Sequence, residues 1–271
     1  MAKPEFNSKI SERIDYGPEV SIFRVVPMGW EFPTFKPGQF AILGLPGSTT
    51  RHALGLPDKK TVDPDKFIQR AYSIASSPKN RDTIEFYITM VKDGVLTPRL
   101  WNLKVGSEIY MSPKISGHFY MDDIPADKNI VLVATGTGIA PFNSMLQTFL
   151  YQNNQRRFAL FHGVRISQDL GYRSECVLME RSCSRFNYFP MISRPHEDPI
   201  PWKGPVGHVQ RLWSDRVLEK AWGFKPTPEN THVFLCGSPG MIDSIIPLMG
   251  QDGFKEHKNT EPGTVHVERY W

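Results

Sequence analysis

Two short strings in this sequence hold residue types that could do chemistry. The first is Arg70-Ala71-Tyr72-Ser73. An arginine can bind a diphosphate through paired N–H bonds, a tyrosine ring can lie on a planar heterocycle, and a serine can hydrogen-bond a ring nitrogen. Strand alternation would put Arg70 and Tyr72 on one side and Ala71 and Ser73 on the other. Taken alone, the string fits an ordinary surface strand. The second is Thr135-Gly136-Thr137-Gly138, which follows the apolar run 130–134 and precedes Ile139-Ala140-Pro141. Small residues let a backbone approach a pyrophosphate closely, and a helix N-terminus presents free N–H groups to it. Pro141 suits a first helical turn. Alone, this too could be a plain strand-to-helix connection, and it is not the GxGxxG fingerprint.

The elements that must position these strings fall into two halves. In residues 1–125 the short stretches 20–25, 39–45, 70–74, 84–91 and 108–111 are apolar or alternating and are separated by Gly and Pro. That rhythm predicts an antiparallel β-barrel. The polar, Pro-containing stretch 47–66 reads as an exposed loop. In residues 126–271 strands alternate with helix-length segments: strands at 130–134, 158–161, 188–192, 232–236 and 265–271, helices up to about 151, around 176–183, over 209–222 and over 241–249. This predicts an α/β doubly wound parallel sheet covered by helices on both faces.

Composition narrows the chemistry. Of 271 residues, 40% are hydrophobic and 22% charged, as in a globular protein with proper cores. Three cysteines without a CxxC pair argue against a disulfide framework and against thiolate metal or iron–sulfur sites. Cys176 and Cys183, seven apart, should both lie on the buried side of a helix. The eight histidines show no ligand spacing, so no metal is expected. The net charge of +4 lacks the dense basic run of a nucleic-acid binder and better suits phosphorylated cofactors or an acidic protein partner. No apolar run is long enough to cross a bilayer and the N-terminus has no signal core, so a cytoplasmic monomer that binds neither membrane nor nucleic acid is expected.

Together the two strings resemble the ferredoxin/flavodoxin–NADP(+) reductase family of bacterial type. The resemblance covers nearly the whole chain: the RxYS string at 70–73, Gly94-Val95-Leu96-Thr97-Pro98, GTGIAP at 136–141, CGSP at 236–239 and the aromatic end Tyr270-Trp271, in that order. It implies a barrel that binds FAD and a parallel-sheet half that binds NADP(H). Arg70 would contact the FAD diphosphate, Tyr72 would stack on the isoalloxazine beside Ala71, and Ser73 would hydrogen-bond near flavin N5. Tyr87, Ile88 and Thr89 would line the flavin and its ribityl chain. The N–H groups of Val95, Leu96 and Thr97 after Gly94 would hold the diphosphate, where the residues alone read as a hairpin turn. Trp271, with Tyr270, would cover the isoalloxazine or the adenine, unless it is a frayed end.

On the second half, Thr135, Gly136, Thr137 and Gly138 would receive the NADP(H) pyrophosphate. Cys236, with Gly237, would face the nicotinamide unless it is simply core. Glu268 would take part in proton handling, or be a solvated strand residue. The 2′-phosphate calls for cations, and Arg165, Ser193 and Arg194 match the family pattern. Where relatives carry Gly-Arg, this chain has Gly207-His208, so His208 or Arg211 could substitute. The implied reaction moves electrons between NADP(H) and a one-electron carrier protein, ferredoxin or flavodoxin, by hydride transfer between nicotinamide C4 and flavin N5. Two other readings stay open: an NADH-dependent flavin reductase that supplies an oxygenase or cytochrome, and a non-catalytic flavin or nucleotide sensor.

Overall fold

The computed structural model describes residues 5–152, 155–258 and 260–269. They divide into two compact units, Met1–Tyr120 and Met121–Trp271. Residues 121–125 go with the second unit. Met121 is buried, and Arg156 Nη2 donates to the carbonyls of Ile124 (2.9 Å) and Pro125 (2.6 Å).

Among the described residues, the first unit has six strands: β1 (Ser8–Asp15), β2 (Val20–Pro27), β3 (Phe40–Pro46), β4 (Phe67–Ser73), β5 (Ile84–Thr89) and β6 (Glu108–Met111). They pair antiparallel in the order β4-β3-β6-β1-β2-β5. An antiparallel bridge between Ile74 and Phe86 closes the two ends on each other. The Ala75 N–H donates to the Glu85 carbonyl at 2.8 Å in the same place. This curls the sheet into a barrel-like form, and Phe23, Val25, Leu43, Ile74, Phe86, Ile109 and Met111 fill the interior. Strand β1 was not anticipated. Its sequence, SKISERID, sends only Ile10 into that core. Arg13 hides the alternation further: its guanidinium lies 5.3 Å from the Phe23 ring and bonds the carbonyls of Trp101 and Leu103. One short helix, α1 (Thr97–Leu100), follows β5.

The second unit alternates β7 (Asn129–Thr135), α2 (Ile139–Phe149), β8 (Phe158–Val164), α3 (Arg173–Ser182), β9 (Phe186–Ile192), α4 (Gln210–Ser214), α5 (Val217–Trp222), β10 (Thr231–Gly237), α6 (Pro239–Gly250) and β11 (Val265–Arg269). All five strands run parallel, in the order β11-β10-β7-β8-β9. The central runs are buried on both faces, as a doubly covered parallel sheet requires. From β7 the chain winds outward to β9, then returns to lay β10 on β7's other side, so the strand order reverses between β7 and β10. Ligands of open α/β sheets bind at the carboxyl ends beside such a reversal.

One helix expected over 209–222 is two. Arg216 takes a left-handed conformation (φ 55°) between α4 and α5. Its guanidinium is held there by Asp252, which also accepts from Trp213 Nε1 and pairs with Lys225. Cys176 sits on α3 and Cys183 just past its end; both are buried free thiols.

Candidate functional site

In the barrel, β4 carries the Arg70–Ser73 string antiparallel to β3, with Tyr72 opposite Ala41 and Ser73 opposite Phe40. Arg70 and Ala71 are exposed, Tyr72 is half-buried against the barrel core, and Ser73 is buried. Burial pushes the Tyr72 hydroxyl well above its ordinary range, so it stays protonated. Among the described residues, Arg70 Nη1 donates to the adjacent Gln69 carbonyl at 2.7 Å, and its exposed fork is of the kind that binds an anion. On β5, Tyr87 is buried edge-on to Tyr16 (6.0 Å). The side chain of Ile88 belongs to the barrel core, so Ile88 has only backbone to offer a ligand. Thr89 is half-buried.

The turn after β5 is tightly built. Thr97 Oγ1 accepts from the Val91 N–H (3.0 Å) and donates to the Val91 carbonyl (3.1 Å). A Cβ on Gly94 would come within 3.0 Å of that carbonyl. Leu96 points into the core. The N–H groups of Val95, Leu96 and Thr97 have no acceptor among the described residues. Such a row of free amides fits a diphosphate.

The second turn is made differently. Gly136–Gly138 forms a single 3₁₀ turn leading into α2. Gly136 has φ +55° and open space where a Cβ would stand. A Cβ on Gly138 would lie 2.2 Å from the Cys236 carbonyl oxygen, so packing on β10 by itself requires glycine here. The same holds for Gly237, at φ +141°, whose Cβ would meet Thr135 Oγ1 at 2.1 Å. That close approach has a purpose: Thr135 Oγ1 accepts the Ser238 N–H at 2.9 Å. The Thr135 hydroxyl therefore ties the turns that follow β7 and β10 together. Thr137 is half-buried. Gly136 is the position with room for a close anion, and it stands at the strand-order reversal.

Sequence reasoning missed His162. It is fully buried next to this turn, with Nδ1 3.2 Å from the Tyr188 hydroxyl and no partner for Nε2 among the described residues. Burial holds its pKa down to about 4, opposed by the nearby Gly136 backbone, so it is neutral near pH 7. Phe161-His162-Gly163 gave no local signal; only the parallel register with Ala134 brings His162 there.

Cys236 and Glu268 stand opposite each other on β10 and β11. Cys236 is wholly buried, and its Sγ lies 3.8 Å from Glu268 Oε2. The cationic candidates gather at the carboxyl ends of β8 and β9. The Arg194 N–H donates to the Arg165 carbonyl (2.8 Å), and Ser193 Oγ to that of Val164 (3.3 Å). Gly163 admits Val209, which brings His208 and Arg211 to the same rim. The arginines are paired nearby: Arg165 with Asp169, Arg194 with Glu197, Arg211 with Asp215. Such exposed pairs are weak and leave the cations available to a phosphate. Tyr270 and Trp271 lie outside the described residues.

Comparisons with known proteins agree with this division of labour. The oxidoreductase FAD-binding domain family matches residues 40–120, and the oxidoreductase NAD-binding domain family residues 132–246. The flavodoxin/ferredoxin–NADP reductase of Buchnera aphidicola (subsp. Schizaphis graminum) is 31% identical over 89% of this chain and 90% of its own. That of Escherichia coli is 31% identical over 88% of each. Among solved structures, a ferredoxin NADP+ reductase from Neisseria gonorrhoeae with bound FAD and NADP superposes with a TM-score of 0.81 at 24% identity over all of both chains. A cytochrome P450 reductase from Amycolatopsis, at 20% identity over 98% of this chain and 69% of its own, reaches 0.73. The fold is thus shared widely, and the sequence likeness at full length is what singles out one group: this chain is a member of the flavodoxin/ferredoxin–NADP reductase family.

Proposed function

We propose that the protein is an FAD-dependent reductase that moves electrons between NADP(H) and ferredoxin or flavodoxin. The observation that carries the reading is that both anion-binding turns occur in one chain, each on the half whose family binds the matching cofactor. When bound, FAD would supply hydride acceptance from NADPH and release of electrons one at a time. The protein's part is to bind and orient. Arg70 and the amides of Val95–Thr97 hold the FAD diphosphate, Tyr72 supports the ring system, and buried Ser73 donates its hydroxyl near N5. The turn at Gly136 takes the NADP(H) pyrophosphate. Arg165 and Arg194, with Ser193, His208 and Arg211, select the 2′-phosphate. Cys236 orients the nicotinamide, and Glu268 holds or moves a proton.

Converting Ser73 to Ala tests these assignments. Stopped-flow reduction of bound flavin by NADPH should slow by roughly tenfold or more, because a hydroxyl aimed at the reacting atom is lost, while FAD stays bound. Unchanged reduction would remove Ser73 from the chemistry. Preference for NADPH over NADH is favoured by the clustered cations at the ends of β8 and β9, and loss of that preference in Arg194→Ala would locate it.

A further inference from the structure

The polar loop 47–66 does more than cross the surface. Arg51 Nη1 donates to the Gly94 carbonyl (3.0 Å) and Nη2 to the Lys92 carbonyl (3.1 Å). Arg99 Nη1 donates to the Val95 carbonyl (2.7 Å), and its Nε and Nη2 to that of Gly47 (3.3 and 3.1 Å). Asp58 lies between the two guanidiniums, 2.5 Å from Arg51 Nη1 and 2.6 Å from Arg99 Nη2. Only 4% of the Arg99 side chain is exposed, 15% of Arg51 and 20% of Asp58. Arg99 is thus a nearly buried cation whose desolvation is offset by the Asp58 carboxylate. Arg99, with help from Arg51, holds the Asp58 carboxyl below the usual carboxylate range. The loop is seated further by the His52 N–H on the Pro98 carbonyl and the Leu56 N–H on the Lys92 carbonyl (2.8 Å each).

The planarity of the peptide unit turns this network into a device. In a trans peptide, the carbonyl of one residue and the N–H of the next point in opposite directions. Arg51 pulls the Gly94 carbonyl toward the loop, so the Val95 N–H points away from it. Arg99 does the same to the Val95 carbonyl and hence to the Leu96 N–H. The two cations therefore aim the two amides.

We infer that Arg51, Asp58 and Arg99 are positioning residues for the FAD diphosphate: they fix the 94–96 peptides so that consecutive N–H groups converge on it. The inference rests on the reading above that this turn holds the diphosphate. Asp58 bridges two cations that would otherwise repel each other, so it is the keystone although it touches only protein.

The test is competition on the holoprotein. Riboflavin shares the ring system but has no diphosphate. The purified FAD-loaded protein is incubated with increasing riboflavin, and displaced FAD is measured after gel filtration. The wild type should prefer FAD strongly. Asp58→Asn should narrow the FAD-to-riboflavin preference by roughly tenfold, the value of one charge-assisted hydrogen bond. Arg51→Gln should narrow it as well, with partial recovery in Arg51→Lys; these variants leave the nearly buried Arg99 with its Asp58 counter-ion and so perturb the fold less than Asp58→Asn. A loop with a purely structural role would weaken both flavins equally, and an unchanged ratio in the Arg51 variants overturns the inference. A wild type that does not prefer FAD to riboflavin would instead sink the turn as a diphosphate site, and the inference with it.

Discussion

The two turns proposed to bind anions follow opposite physical plans. The barrel turn at 94–97 is aimed by charged side chains that reach in from a separate loop. The turn at 136–138 is set by backbone against backbone, with Gly138 on the Cys236 carbonyl and Thr135 bonded to Ser238. The first depends on ionisation and hydrogen bonding, the second on the absence of a Cβ. Backbone contact at a strand-order reversal is stiff and nearly independent of conditions. A guanidinium–carboxylate network can be loosened by acid or by one substitution.

The comparison breaks most decisively at Gly138. A methyl group there would sit 2.2 Å from the Cys236 oxygen, so Gly138→Ala should cost about 3 kcal/mol or more by forcing β10 and the turn apart. Thermal unfolding would show it. Gly136→Ala, strained at φ +55° but in open space, should cost only about 1 kcal/mol, yet should weaken NADP(H) binding. Equal melting losses in the two variants would refute the division into a packing glycine and a ligand-side glycine.

Acid should separate the units. His162 and His266 in the second unit have pKa values held down to about 4 and about 3 by burial, and His232 is lowered in the same way. Unfolded, each would take a proton near pH 6.5. The stability they confer is therefore complete above pH 6.5 and is lost as pH falls toward 4, on the order of a few kcal/mol. The contribution of Asp58 in the barrel is present above 3.8 and is lost only below it. Urea titrations at about pH 7.5 and about pH 5, followed by hydrogen-exchange mass spectrometry, should show β7 and β8 losing protection first. Simultaneous loss in β3 and β7 would contradict this.

A smaller effect is expected at Thr135. Thr135→Val keeps the shape but strands the Ser238 N–H, and should cost about 1–2 kcal/mol, with NADP(H) affinity reduced and FAD affinity untouched. The smallest effect concerns partner docking. With a net charge of +4 and an acidic partner, turnover with ferredoxin or flavodoxin should fall as salt rises, while flavin reduction by NADPH alone changes less.

Much of this was legible in the sequence where the signal is local. The short alternating runs and the later strand–helix rhythm gave the barrel and the parallel sheet. The strings at 136–141 and 236–239 announced their turns because glycines and prolines impose backbone conformation directly. What escaped depends on distant partners. Asp58 meets Arg99, and Arg51 meets the carbonyls of Lys92 and Gly94, each more than 40 residues away, and nothing in the loop composition says which carbonyls the arginines will find. Strand β1 is polar because Arg13 and its neighbours serve the barrel's rim. The break between α4 and α5 is imposed by Asp252, far along the chain. That Gly138 must also be glycine for packing shows only once the sheet order puts Cys236 against it.

The most direct test is anaerobic reduction of the purified yellow protein by NADPH and, separately, by NADH, followed by addition of ferredoxin or flavodoxin. The account expects NADPH to bleach the flavin much faster than NADH, and the colour to return as the carrier is reduced. A protein that neither retains nor takes up FAD, or whose flavin NADPH leaves oxidised, would contradict it.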